Sequence, residues 1–423
     1  MTTIPGSERP SYRYAARVLE ASTLAEIARE LEQTESDPEG IGIMVGKGRT
    51  YLVRLNDVSL KASPLLKQEM LSVGGDAAHA RGIADHSVAS SPVVLLGTWG
   101  QYRRLLPKLE RQPFGLKEVA AEVERALRQY TAHGTRTIRG AHRSFSVGDR
   151  PKVMGVVNVT PDSFFDGGKF LDPARAIAHA ERLVAEGADL IDVGGESTRP
   201  GSEGVTPQEE WARVAPVIEG LRDRISVPVS IDTRHPEVAT RAVQAGVDII
   251  NDVEGLRSAE MRAAVAQSGA AVVVMHMRGS PRTMQEKTEY RDLRGEVFST
   301  LAAATTQALE SGIGSDQILI DPGLGFGKTA EQSFELLSHL GEFRSLGYPI
   351  VAGASRKSFL GYALGGEGTD DRLEASLAAA VIAALQGAPI VRVHDVGPTV
   401  RALKVVAAAQ RRGAPHRDPP FDE

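Results

Sequence analysis

From residue 152 onward the chain alternates short apolar runs with longer stretches of helical period. The apolar runs fall at 153–159, 190–194, 228–232, 249–253, 271–276, 318–321, 349–353 and 390–394. They are rich in Val and Ile and do not alternate with polar residues, the pattern of strands covered on both faces. Helical patterns follow them at about 173–187, 207–221, 236–246, 259–268, 292–311, 329–340, 371–387 and 397–408. Thr206-Pro207-Gln208-Glu209 reads as a capping box with proline at the first helical position. Gly187, Gly246, Gly269 and Gly387 stand where helices should end. Eight such units in about 255 residues predict an α/β fold of the (β/α)8 TIM-barrel class over 136–410. An open doubly wound sheet is the alternative, but eight units in a row with no other element favour closure.

A smaller α/β domain is expected over 1–135. A helical pattern over 14–31 breaks at Asp37-Pro38-Glu39-Gly40. Strands are expected at 42–45, 51–55 and 93–96, and helices at 65–71, 101–109 and 117–130. Lys67-Gln68-Glu69 and Gly74-Gly75-Asp76 read as an exposed helix face and its terminating glycine, with no base or nucleophile beside them. The connector 135–152 has hairpin character, with Thr137-Ile138, then Phe145 and Val147, and Gly148-Asp149 expected as a turn, and is expected to plug the bottom of the barrel. The tail 411–423 is Pro-rich and charged, as disordered tails are.

Composition narrows the function. Among 423 residues the net charge is −5, which argues against a nucleic-acid binder while leaving room for a small anionic substrate. There is no cysteine, so disulfides, thiolate metal sites and cysteine nucleophiles are excluded. No uncharged apolar run approaches the ~18 residues of a membrane span, and residues 1–11 lack the apolar core of a signal peptide. A cytoplasmic protein without membrane or nucleic-acid partners is expected.

In a barrel of this kind the polar residue at the carboxyl end of each strand points into the site. Those ends carry Asn158; Gly195 to Gly201; Asp232-Thr233-Arg234; Asn251-Asp252; Met275-His276-Met277; Asp321 to Lys328; Ser355-Arg356-Lys357-Ser358; and Arg392-Val393-His394-Asp395. Asp232, Asn251 and Asp321 are acceptors or amides. Lys357, Arg392 and His394 are donors, clustered on the last two strands, where such barrels often bind phosphate. The set suits a flat heterocycle with several N–H groups and an attached anionic arm, because a guanidine-like edge needs a carboxylate that accepts two hydrogen bonds. Any single Asp here could instead be a helix cap. Gly327-Lys328-Thr329 fails as a phosphate-binding loop, because the required first glycine falls at Pro322; it reads as a turn presenting Asp321 and Phe326. His235 and His276 read as structural, with no metal-ligand partner at useful spacing.

The motifs Asn158 to Phe164, Ser197 to Gly201, Ser230 to Thr233, Ile250 to Asp252, Asp321 to Lys328, Ser355 to Ser358 and Arg392 to Asp395 together resemble the dihydropteroate synthase family, over about 150–408. The sequence departs from that family at Phe165, where serine is usual. The resemblance implies condensation of 4-aminobenzoate with (7,8-dihydropterin-6-yl)methyl diphosphate, releasing pyrophosphate. It implies that Asp232, Asn251, Asp321 and Lys357 hold the pterin, with Met275 and Phe326 packed near it. Asn158, Arg392 and His394 would hold the diphosphate, with Asn158 also on Mg²⁺. Thr198, Arg199, Pro200, Phe164 and Ser358 would form the aminobenzoate pocket. Asp321, Lys357, Arg392 and His394 would be the catalytic set, and a homodimer is implied. A methyltetrahydrofolate:corrinoid methyltransferase would share the pterin acceptors but has no use for diphosphate cations or for the segment 197–201.

Overall fold

The computed structural model describes residues 15–21, 23–132, 134–160, 172–197, 204–280, 282–286, 288–365 and 372–411. Phe164, Phe165, Thr198, Arg199, Pro200 and the tail from 412 lie outside the described residues. The chain forms two compact units, Met1–Ala121 and Glu122–Ala414, the division falling inside the helix Leu116–Thr131.

The first unit carries three antiparallel strands, β1 (Thr50–Ser59), β2 (Asp76–His79) and β3 (Ser90–Thr98), in the order β1-β3-β2. The helices Ala62–Ser72 and Trp99–Leu109 pack beside them, burying Leu66, Met70, Tyr102 and Leu105. Two expectations are corrected here. Residues 42–45 belong to a helix, Pro38–Val45, not to a strand. The cause is local: Asp37 accepts from the Glu39 and Gly40 amides and Pro38 takes the first helical position, so the breaker that ends one helix starts the next. Likewise the helix expected over 14–31 begins only at Leu24, where Thr23 and Glu26 cap each other reciprocally.

In the second unit the hairpin β4 (Arg136–Arg139) and β5 (Ser144–Val147) precedes eight parallel strands. These are β6 (Lys152–Asn158), β7 (Leu190–Gly194), β8 (Val229–Asp232), β9 (Ile249–Asp252), β10 (Ala271–Met275), β11 (Ile318–Asp321), β12 (Val351–Ala352) and β13 (Ile390–Val393). Their order is β11-β10-β9-β8-β7-β6-β13-β12, and a parallel bridge between Ile320 and Ile350 joins the two ends. The sheet therefore closes, and helices follow the strands as in a TIM barrel. Gly187, Gly246, Gly269 and Gly387 all adopt positive φ just past a helix, which explains the punctuation seen in the sequence.

The hairpin seals the barrel floor, and its turn falls at 140–143, not at the expected Gly148-Asp149. Ile138 and Val147 join Met154, Leu190, Ile249, Val273, Leu319, Val351 and Ile390 in one buried cluster, with Phe145 packed against it. Asp248, fully buried, pins the hairpin turn by accepting from the amides of His142 (3.2 Å) and Arg143 (2.7 Å) while its other oxygen takes Val229 N–H (3.1 Å). The strand floor is thus closed by an apolar cluster, with Asp248 as the buried carboxylate that ties the hairpin to it.

Candidate active site at the carboxyl ends of the strands

The strand register lays the rim out in a row. Asn158 lies opposite Gly194, Gly194 opposite Asp232, and Asp232 opposite Asn251. Gly194 lies between the two side chains: a Cβ there would stand in ordinary contact, 3.5 Å from Asp232 Cβ and 3.9 Å from Asn158 Oδ1. On the far side, a Cβ on Gly353 would stand 3.8 Å from each of Asp321 Oδ2, Lys357 Nζ and Arg392 Cβ. Arg392 reaches back across the mouth, donating from Nη2 to Asp232 Oδ2 (2.8 Å). Asp232, Asp321, Lys357 and Arg392 therefore share one opening.

Asp321 is held by its own loop. Gly323 N–H donates to its Oδ1 at 2.7 Å, and Gly323, at φ +70°, passes so close to the His276 carbonyl that any side chain would collide with it. Lys328 fixes the same turn. Its buried ammonium donates to the carbonyls of Gly323 and Phe326 and to His276 Nδ1, each at 2.9 Å. All three of its donors are taken up inside the protein, so the Gly-Lys-Thr pattern presents no free lysine to a phosphate. Burial, then the neighbouring Lys328, pushes His276 down to about 2, so it is a neutral acceptor. Phe326 joins Val253, Met275, Met277 and Met284 in an apolar patch, and Lys357 Nζ lies 4.4 Å above the Phe326 ring centre.

The electrostatics are those of charges kept from water. Burial raises Asp232, against the opposing pull of Arg392 and with help from Asp192 and Asp252. Burial also raises Asp321, opposed by Lys357 and the Gly323 N–H. Burial lowers Lys357 to about 8, against the attraction of Asp321. Arg392 ends up above its ordinary value: burial works downward, but Asp192 and Asp232 outweigh it. His394 is pushed down to about 3 by burial and then by Arg392, so it is neutral near pH 7; Ser355 Oγ lies 3.2 Å from its Nδ1. Ser358 is exposed at the start of the helix Ser358–Ala363.

Two groupings were not read from the sequence. Asp192 sits inside the strand Leu190–Gly194, fully buried, with Arg392 Nε at 2.6 Å and Asn251 Nδ2 at 3.2 Å on its Oδ2. The signal was present: a carboxylate within an apolar strand is costly unless paired. The second corrects the reading of His235 as lacking partners. Its Nε2 lies 3.7 Å from Glu196 and 4.0 Å from Glu210, which arrive from other elements. Arg234 already donates to both oxygens of Glu196, at 3.0 and 3.1 Å. Burial lifts Glu210 to about 8, so it is protonated at neutral pH.

A closed (β/α)8 barrel that gathers buried carboxylates and cations at the carboxyl ends of its strands defines the class, since barrels of this kind build their sites at that rim. The chain belongs to the pterin binding enzyme family, whose model matches residues 154–394. It is 46% identical to the dihydropteroate synthase of Escherichia coli K12 over 258 residues, 61% of this chain and 91% of that one. It is 40% identical over 384 residues to a probable bifunctional folylpolyglutamate synthase/dihydropteroate synthase of Halobacterium salinarum. That match takes in 91% of this chain but 46% of the relative, so the chain spans about half the length of that protein. Among solved structures, Xanthomonas albilineans dihydropteroate synthase with 4-aminobenzoic acid superimposes with a TM-score of 0.62 at 45% identity, covering 66% of this chain and 99% of that one.

Proposed function

We propose that the barrel is a dihydropteroate synthase. The amine nitrogen of 4-aminobenzoate bonds to the methylene carbon of (7,8-dihydropterin-6-yl)methyl diphosphate as the carbon–oxygen bond to the diphosphate breaks. Pyrophosphate departs and the amine loses a proton to solvent. The observation that carries this reading is the Arg392–Asp232 contact of 2.8 Å, which joins ring acceptors and an anion-binding cation in one mouth. The names of the E. coli and X. albilineans relatives support it.

In this reading Asp232, Asn251, Asp321 and Lys357 grip the ring edge, and Phe326 and Met275 pack on its face. Arg392, with neutral His394 as a hydrogen-bond donor, receives the diphosphate. An electron-rich dihydropterin can carry positive charge on its methylene, and the Asp321 carboxylate favours that charge. The path is then SN1-like and needs no strong general base. Asn158 contributes one neutral amide oxygen near Asp232. That suits Mg²⁺, which keeps waters and takes its remaining ligands from phosphate oxygens. A bound Mg²⁺ would supply charge to the leaving oxygen. Thr198, Arg199, Pro200 and Phe164, with Ser358, are assigned to the aminobenzoate by resemblance. The segment 197–201 and the diphosphate cations favour this over a corrinoid methyltransferase. A homodimer in the cytoplasm belongs to the same proposal; among the described residues no helix is long and apolar enough to cross a membrane.

The test is incubation with the pterin diphosphate, 4-aminobenzoate and Mg²⁺, following released pyrophosphate and the coupled pteroate. Absence of both products sinks the reading. The match to the archaeal relative takes in most of residues 1–135, to which we assign no chemistry; comparing the full chain with one lacking them separates a catalytic role from an assembly role.

A further inference from the structure

One guanidinium spans two carboxylates in the mouth. Arg392 donates from Nε to Asp192 Oδ2 at 2.6 Å and from Nη2 to Asp232 Oδ2 at 2.8 Å. The two acceptors are not equivalent. Asp192 is fully buried within β7 and also takes the Asn251 amide at 3.2 Å, so it is locked to two rim residues at once. Its second oxygen is buried and has no hydrogen-bond partner. Asp232 closes β8, retains some exposure, and is an acceptor that a donor-rich ring would claim. A ring edge that takes up Asp232 competes with Nη2 for the same oxygen. Nε, on the deeper carboxylate, is outside that competition.

We propose that Asp192 is a positioning residue that anchors Arg392 through Nε, so that ring binding at Asp232 releases Nη2 toward the diphosphate. This rests on the synthase reading and deepens it. Ring and anion then bind cooperatively, because the ring removes the partner that occupied the anion's donor. The coupling is reciprocal, and interactions of this type typically amount to about 5–150-fold. Both groups of Arg392 are needed: a lysine in its place cannot span two carboxylates in a fork.

The test measures pyrophosphate affinity calorimetrically, with Mg²⁺ present, in the absence and presence of saturating 6-methyl-7,8-dihydropterin, a ring without the anionic arm. The expected result for the unaltered protein is at least about fivefold tighter pyrophosphate binding with the ring bound. In Asp192→Asn, which keeps shape but removes the charge that anchors Nε, the factor falls to near one while each ligand still binds alone. Arg392→Lys gives the same loss of coupling and keeps the cation. A structural defect would weaken both ligands without selectively removing the factor between them. If the unaltered protein binds both ligands with no coupling, or Asp192→Asn keeps the full factor, the inference is overturned and the synthase reading stands. If the unaltered protein binds neither ligand, both fall. If Asp192→Asn does not fold, Arg392→Lys carries the test: no coupling in the unaltered protein, or the full factor kept in Arg392→Lys, overturns the inference.

Discussion

The two ends of the same eight strands have opposite chemistry. At the amino ends Ile138 and Val147 of the hairpin close over Met154, Leu190, Ile249 and Ile390, and water is excluded. At the carboxyl ends Asp192, Asp232, Asp321, Lys357 and Arg392 are packed together, also largely away from water. The floor gains free energy from burial, about 1.5–3 kcal/mol for each large aliphatic side chain. The rim loses it, since its carboxylates are raised and its lysine lowered by the same burial. One end therefore stabilises the barrel, and the other holds charges that satisfy one another only at the cost of their burial.

The sharpest way to break that contrast is Asp321→Asn. The amide keeps an acceptor for the Gly323 N–H and removes a charge that burial already disfavours. kcat/KM for the pterin diphosphate is expected to fall about 1000-fold, a loss near 4 kcal/mol of transition-state stabilisation. The urea midpoint should stay level or rise. Steady-state pyrophosphate release and a denaturation curve check the two halves. A variant that lost stability and kept its rate would reverse the assignment of roles.

Asp248→Ala is the mirror experiment. Asp248 is buried and accepts three backbone N–H groups that hold the hairpin to the floor. Removing it strands those donors and the nearby Arg143, at an expected cost of about 3 kcal/mol in unfolding free energy. Below its melting temperature the variant should turn over normally, because Asp248 lies at the closed end.

The contrast also separates what could be read from sequence from what could not. The barrel was legible because each strand is an unbroken apolar run and glycine ends several helices. The rim acceptors were legible because Asp232 and Asp321 each end a strand and Asn251 stands one residue before the end of its own, where apolar runs give way to polar residues. Asp192 was missed because it lies two residues before the end of its strand, and only three-dimensional pairing with Arg392 shows why it is tolerated. The cluster of Glu196, Glu210 and His235 joins residues far apart in the chain, so spacing carried no trace of it. Residues 42–45 failed for a different reason. Four apolar-rich residues cannot tell strand from helix, and the Asp37-Pro38 start decided it.

Titration should sharpen the contrast within the rim itself. Lys357, lowered to about 8, loses its charge as pH rises past that value, so kcat/KM for the pterin diphosphate should fall about tenfold per pH unit above it. On the acid side activity should drop as the raised carboxylates Asp232 and Asp321 take up protons. His394 contributes no limb between pH 5 and 8, because it is neutral throughout that range. Stability runs the other way. A carboxylate raised by folding favours the folded state most below its unfolded value, and that contribution is lost as pH rises through the folded value. The rim should thus be most active where it contributes least to stability. A pH–rate profile with a limb near 6.5 that disappears in His394→Gln would contradict this.

The smallest effect tests whether the floor is insulated from the rim. Ile138→Val removes one buried methylene from the cluster that includes Met154, Leu190 and Ile249, where a deletion of this kind costs about 1 kcal/mol. Met154 lies on β6, the strand that ends at Asn158, and Ile249 on β9, which ends at Asp252, so a loosened floor has a direct route to the mouth. Yet β6 and β9 are each paired with two neighbouring strands, and a close-packed sheet resists being shifted from one end. The expected outcome is a lowered urea midpoint with pterin affinity and turnover unchanged within twofold. If affinity instead weakened in step with stability, the floor would be part of the binding apparatus, and the division between a stabilising end and a reactive end would have to be abandoned.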